Sequence, residues 1–240
     1  MRRIMILIAF CTWSISACAQ SEPAIQEGVH YTKIEGERQA PGQVEVIEFF
    51  MFSCPHCAAF APFMDGWQKK QPSYVKVTYI PVVFHESQMI LGKAYYASEL
   101  LGIADKVRPL IFEAIHVKNN PMDTAEKIAD VVSAGSGIDK KKFLETMNSF
   151  AVDSSIRKGL QRTQNYKIDG VPTVIVAGKY KTNVGMAGGH DQILDVMDYL
   201  VNLSKPGKAK ATAAKAPVPA PAPAPAAQPA PAAGAAASAK

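Results

Sequence analysis

The chain has 240 residues, 26 of them Lys or Arg and 21 Asp or Glu, for a formal charge of +5. The excess belongs to the ends: Arg2 and Arg3 open the chain and five lysines follow Ser204, which leaves 19 basic against 21 acidic residues between. The basic balance is therefore no case for a nucleic-acid binder, and only four cysteines in a chain of this size exclude a disulfide-stapled scaffold.

Met1-Arg2-Arg3, the apolar run from Ile4 to Phe10 and the small residues Ser16-Ala17-Cys18-Ala19 follow the order of a secretory signal peptide over residues 1–19. The apolar run is too short for a permanent membrane helix. Two cleavage readings are open. Ala17-Cys18-Ala19 fits cutting before Gln20, whereas Ile15-Ser16-Ala17-Cys18 resembles the bacterial lipobox, which would make Cys18 a lipidated first residue and the protein a lipoprotein.

Val44 to Phe50 and Tyr74 to Ile80 are β-branched and aromatic runs, and the helix-length segment Pro55 to Lys70 lies between them. Strand, helix and strand at this spacing predict a βαβ unit. The period then changes. Val107, Leu110, Ile111, Ala114 and Ile115 keep helical spacing, as do Ala125, Ile128, Ala129 and Val132, with Asp123 and Glu126 arranged like a capping box. Further helices are predicted over about 87–101, 139–149 and 154–167, with Gly102, Gly135 and Gly137 as breaks. Strand character returns at Pro172 to Ala177, and Gly178-Lys179 before Tyr180-Lys181-Thr182 signals a hairpin. A last helix carries Ile193, Val196, Met197 and Leu200 on one face. From Ser204 to Lys240 the chain is Ala, Pro and Lys, an expected disordered tail.

Two cysteines remain in the folded region, Cys54 and Cys57, three positions apart in Phe49-Phe50-Met51-Phe52-Ser53-Cys54-Pro55-His56-Cys57. A structural zinc site needs four ligands, usually from two such pairs; there is no second pair, and His30, His85, His116 and His190 lack metal-ligand spacing. A zinc site assembled from distant parts of the chain is the remaining alternative. A redox pair needs only what is present. Cys54 falls at a strand-to-helix junction, where exposed N–H groups and the helix dipole favour thiolate over thiol. Cys57 lies one turn on, Pro55 takes the first helical position, and His56 can add to thiolate stabilisation.

The stretch from Val46 to Cys57 with Cys-Pro-His-Cys, the helical insertion, and Gly170-Val171-Pro172-Thr173 together resemble DsbA-type thiol:disulfide oxidoreductases of the thioredoxin superfamily. The resemblance covers roughly residues 30–203 and includes Gly178-Lys179-Tyr180. It implies an α/β thioredoxin fold with an inserted all-helical domain: a thioredoxin-like domain over 25–84 and 168–203, and the insertion over 85–167. It also implies a redox-active Cys54–Cys57 disulfide, a cis-proline at Pro172 facing it, and a substrate-binding role for Val171. Glu48, six residues before Cys54, matches the acid beneath the disulfide that assists proton transfer; a solvent-facing edge acid is the alternative. Pro62 matches the proline that kinks the helix, and Phe60, Phe63, Met64 and Trp67 are expected in the core. The acid's lysine partner in well-known members is replaced here by Tyr79.

The activity so implied is a periplasmic oxidase that introduces disulfides into reduced, unfolded exported proteins and is reoxidised by a DsbB-like membrane quinone reductase. It would be a monomer with no metal, organic cofactor or nucleic acid, touching a membrane only through a lipid anchor. A reductase or isomerase of the same fold is the nearest alternative, although residues from Gln20 to about Arg38 are too few for an isomerase's added dimerisation domain. A non-catalytic chaperone or binding module is the alternative from another class.

Overall fold

The protein is described here by a computed structural model covering residues 24–206. The leader with Cys11 and Cys18, both cleavage readings, and the tail beyond Pro206 lie outside the described residues.

The βαβ unit is present as β2 (Val44–Phe50), α1 (Pro55–Gln68) and β3 (Val75–Pro81), preceded by a two-residue strand β1 (Thr32–Lys33) that carries no periodicity signal. β2 and β3 pair in parallel, with Glu48 opposite Tyr79. The insertion consists of α2 (Met89–Leu100), α3 (Ala104–His116), α4 (Ala125–Ser136), α5 (Lys140–Met147) and α6 (Phe150–Asn165). Then come β4 (Thr173–Val176), β5 (Tyr180–Thr182), a one-turn α7 (Val184–Ala187) and α8 (His190–Leu203). The strand order is β1-β5-β4-β2-β3, with every pair antiparallel except β2 with β3. This is a thioredoxin-like sheet with a helical insertion between β3 and β4. β2 is hydrogen-bonded on both edges, so neither of its acids sits on a sheet edge.

Several local expectations are corrected. α6 begins at Phe150 rather than 154 because the Ser149 hydroxyl accepts from the Val152 N–H at 3.3 Å and caps it there. The cap of α4 is Thr124, which accepts from Lys127 N at 3.2 Å, while Asp123 pairs with the Lys127 ammonium at 2.7 Å. Gly135 lies inside α4 and does not break it; a Cβ there would stand 2.3 Å from Leu110 of α3, so the glycine permits close helix approach. The hairpin turn is Ala177-Gly178, both at positive φ (53° and 63°), closed by Lys179 N–H on Val176 O at 3.0 Å. That pair of left-handed residues is the turn that matches strand twist, and it ends β4 one residue early.

Val44, Val46 and Phe50 point to the large core formed with α1, α8 and the insertion, whereas Ile47, Phe49 and Ile175 pack on Tyr166 and Ile168 on the other face. Period-two alternation therefore puts Glu48 on the face shared with α1. The insertion is bolted to the sheet by Arg162 of α6. Its guanidinium donates to both Glu45 carboxylate oxygens, at 3.1 and 2.8 Å, and lies 2.9 Å from Glu37. Burial alone would raise the Glu45 carboxyl, but the hydrogen bonds from Arg162 and Thr78 outweigh it and hold the group below its ordinary range.

Candidate active site

The site is built where β2 gives way to α1. Phe50, Phe52 and Phe112 pack against one another at 5.1–6.0 Å between ring centres, fixing the chain just before the cysteines. The Cys54 N–H then donates to Met51 O at 3.2 Å, and Cys54 takes the N-cap of α1 in extended conformation (φ −89°, ψ 117°) with Pro55 at the first helical position. No side chain caps this helix start, so the first-turn N–H groups are turned toward the cysteine region. Cys57, Phe60, Ala61, Met64 and Trp67 form the buried stripe of the helix, and Trp67 Nε1 donates to Asp198 of α8 at 2.8 Å, fixing the helix from behind. Phe63, expected in the core, is only half-buried and stacks on His190 at 5.0 Å.

One turn of α1 gives the two sulfurs unlike surroundings. Both stand as thiols in this structure; Cys54 is half-exposed and Cys57 buried. Burial pushes the Cys57 thiol far above its ordinary range, and the nearby Cys54 and Glu48 add to the rise. Cys54 Sγ lies 3.6 Å from the carbonyl oxygen of Val171, at which its S–H is directed, and the Val171–Pro172 peptide is cis. Thr173 Oγ1 donates to Gly170 O at 2.8 Å, holding the loop that carries this carbonyl. The sequence-predicted residues Cys54, Cys57, Val171 and Pro172 are thus brought together from positions more than a hundred apart. Exposed Pro55 and His56 flank the half-exposed sulfur.

Beside the pair opens a groove of about 460 Å³ lined by His56, Gly170, Val171, Pro172, Asn183 and His190. Its floor is made by the one-turn α7 and the start of α8, neither of which was expected to contribute. Among the described residues no group of three or more His, Cys, Asp and Glu could hold a metal ion. His116 is engaged elsewhere, with Nε2 2.7 Å from Phe52 O.

Glu48 is completely buried, and burial pushes its carboxyl up to about 7 against the pull of Arg108. Neither of its oxygens has a hydrogen-bond partner among the described residues. The residue opposite it on β3, Tyr79, donates its hydroxyl to Gln68 at 2.6 Å and leaves the carboxyl alone. The positive charge facing Glu48 comes instead from Arg108 of α3, with Nη1 3.7 Å from Glu48 Oε2. Arg108 was not singled out from sequence, although its positions i+3 and i+4, Ile111 and Phe112, mark its face of α3 as the buried one.

The whole assembly has relatives. A family model described as thioredoxin matches residues 29–193. The thiol:disulfide interchange protein DsbA of Pseudomonas aeruginosa is 34% identical over 212 residues, covering 88% of this chain and all of that protein. The protein of the same name from Burkholderia cepacia is 37% identical over 205 residues, covering 84% of this chain and 96% of its own length. The crystal structure of Pseudomonas aeruginosa DsbA superposes with a TM-score of 0.71 at 36% identity, over 75% of this chain and 94% of that one. The Neisseria meningitidis oxidoreductase NmDsbA1 gives 0.65 at 27% identity, over 77% and 98%. With the cysteine pair, the facing Val171–Pro172 loop and the inserted helices all in place, the chain belongs to the DsbA family of thiol:disulfide oxidoreductases.

Proposed function

We infer that this oxidoreductase works as an oxidase of exported proteins in the periplasm, donating its Cys54–Cys57 disulfide to reduced clients. The observation that carries the reading is the asymmetry of the pair: Cys54 is half-exposed beside an open groove, and Cys57 is sealed beneath it. A client thiolate can reach only Cys54. It attacks Cys54 Sγ, the Cys54–Cys57 bond breaks, and its electron pair passes to Cys57 Sγ. Burial disfavours a thiolate at Cys57, so that sulfur takes a proton, and Glu48, on the face of β2 that α1 covers, is a buried acid able to give one near neutral pH. A second client thiolate then attacks the client sulfur of the mixed disulfide and releases Cys54. The client loses two electrons and the Cys54/Cys57 pair gains them.

The Val171 carbonyl next to Cys54 Sγ supports a role for that loop in holding the client's backbone, in the manner of strand addition. His56 and Pro55 set the surroundings of Cys54 at the groove's rim. A DsbB-like membrane quinone reductase fits as the source of reoxidising equivalents. Residues 1–19 fit an export leader, cut before Gln20 or before a lipidated Cys18.

The test is stoichiometric. The oxidised full chain, mixed with a reduced peptide carrying two cysteines, is expected to yield one intramolecular peptide disulfide per protein reduced, and the Cys54→Ser protein none. Equal turnover by Cys54→Ser would place the chemistry elsewhere.

A further inference from the structure

Beneath the cysteines, the sheet and the insertion meet at a buried charge cluster in which Glu48 faces a cation from the insertion. Arg108 leaves α3 and enters the core at 3% exposure. It makes three contacts there. Its Nη1 stands 3.7 Å from Glu48 Oε2, its Nη2 pairs with Asp65 Oδ1 of α1, and its guanidinium carbon lies 3.9 Å over the Tyr79 ring of β3. The Tyr79 face holds the guanidinium in place, and the Asp65 carboxylate takes one of its edges. Asp65 is itself partly exposed and lines a small surface cleft with Gln68, Lys69 and Asp105. The result is a line of groups running from solvent at Asp65, through Arg108, to Glu48 beneath the cysteines.

We propose that Arg108 of the helical insertion is the positioning residue that decides whether Glu48 carries its proton, with Asp65 competing for the same guanidinium from the active-site helix. The inference rests on the oxidase reading only for its consequence in turnover; the charge coupling stands on geometry alone. A carboxylate in a dry pocket stays protonated unless a cation faces it. Here the cation faces it at ion-pair range without a hydrogen bond, since Arg108 Nη1 and both Glu48 oxygens lack one among the described residues. Glu48 is thereby held between two states, able to give a proton to Cys57 and to take one back. The other titratable groups around the cluster are Tyr79 on β3, Cys54 at the N-cap of α1, Cys57 and Asp65 on α1, Asp105 on α3 and Tyr95 on α2; β4 presents only Val174 opposite Glu48. Burial raises the Tyr79, Tyr95 and Cys57 protons out of reach, so near neutrality Glu48 is the buried group that titrates.

The experiment labels glutamate side-chain carboxyls with ¹³C and follows them from about pH 5 to 9, the range in which a raised carboxyl changes its proton. The Glu48→Gln protein identifies the Glu48 signal by its loss. Arg108→Met is expected to move that midpoint up by about one pH unit or more, Arg108→Lys to restore most of it, and Asp65→Asn to move it down, because Glu48 then gains an undivided guanidinium. Asp65 is partly exposed, so its variant keeps the test alive if Arg108→Met does not fold. An unmoved midpoint in Arg108→Met, or in Asp65→Asn where the former cannot be made, overturns the proposal. Peptide oxidation by the same proteins is read separately. A wild-type chain that oxidises nothing defeats the oxidase reading and leaves the carboxyl titration to decide the charge coupling.

Discussion

Replacing Glu48 by Gln should change how stability depends on pH more than it changes the fold. Glu48 is fully buried, and its carboxyl rises from an ordinary 4.5 to about 7 in the folded chain. Between those values the native state holds a proton there that the unfolded chain has released. Stability attributable to the protonated group is therefore complete below about pH 4.5 and falls as pH rises, levelling off above about 7. At about 1.4 kcal/mol per pH unit, the loss is about 3 kcal/mol across the window. Gln keeps the shape and cannot ionise. Urea unfolding of the reduced wild-type and Glu48→Gln proteins at about pH 5 and pH 8 should thus show the wild type losing the larger share, so that the two curves converge or cross as pH rises. Parallel profiles for the two proteins would mean that Glu48 does not change its proton in this range, and the reasoning from burial would fail.

Other outcomes follow from the same geometry. Cys57→Ala should leave Cys54 able to displace thionitrobenzoate from a single-cysteine peptide carrying it as a mixed disulfide, with neither Cys57 nor a second peptide thiol to release the product, giving a one-to-one adduct in intact-mass spectra; the absence of an adduct would contradict the accessibility of Cys54. Arg162→Ala removes the bidentate tie between α6 and β2 and strands a half-buried Glu45, costing about 2 kcal/mol in urea unfolding at neutral pH, a value between those of exposed and buried pairs. Phe50→Ala empties a position with no exposure that packs edge-on against Phe52, Tyr79 and Tyr95. It should cost about 4 kcal/mol and lower the midpoint of unfolding; a loss below about 1 kcal/mol would mean that the core closes over the gap.

What could be read from sequence, and what could not, divides along the range of the interaction. Cys54, Pro55 and Cys57 announce themselves because strand end, helix start and thiol spacing lie within nine residues. Pro172 was legible only through its resemblance to a known loop, since nothing local says that Val171 will face a sulfur 117 positions away. The alternation of β2 put Glu48 on an apolar face but could not say whether that face was an edge. The answer required knowing that β4 and β3 flank β2 on both sides, a pairing set by the tertiary structure. Arg108 was invisible as a functional group because its partners come from β2, β3 and α1, all outside the insertion. Its single signal was a charge on the apolar face of α3. β1 and α7 are too short to carry a period at all, yet α7 supplies part of the groove.

The central claim is that the pair gives its disulfide away, and the reduction potential of the Cys54/Cys57 couple tests that most directly. Equilibration of the full chain with glutathione buffers, read by alkylation and mass, should place the couple far on the oxidising side of thioredoxin, toward the value of about −120 mV known for one DsbA. A potential near that of thioredoxin, about −270 mV, would contradict the account and make the protein a reductase on the same fold.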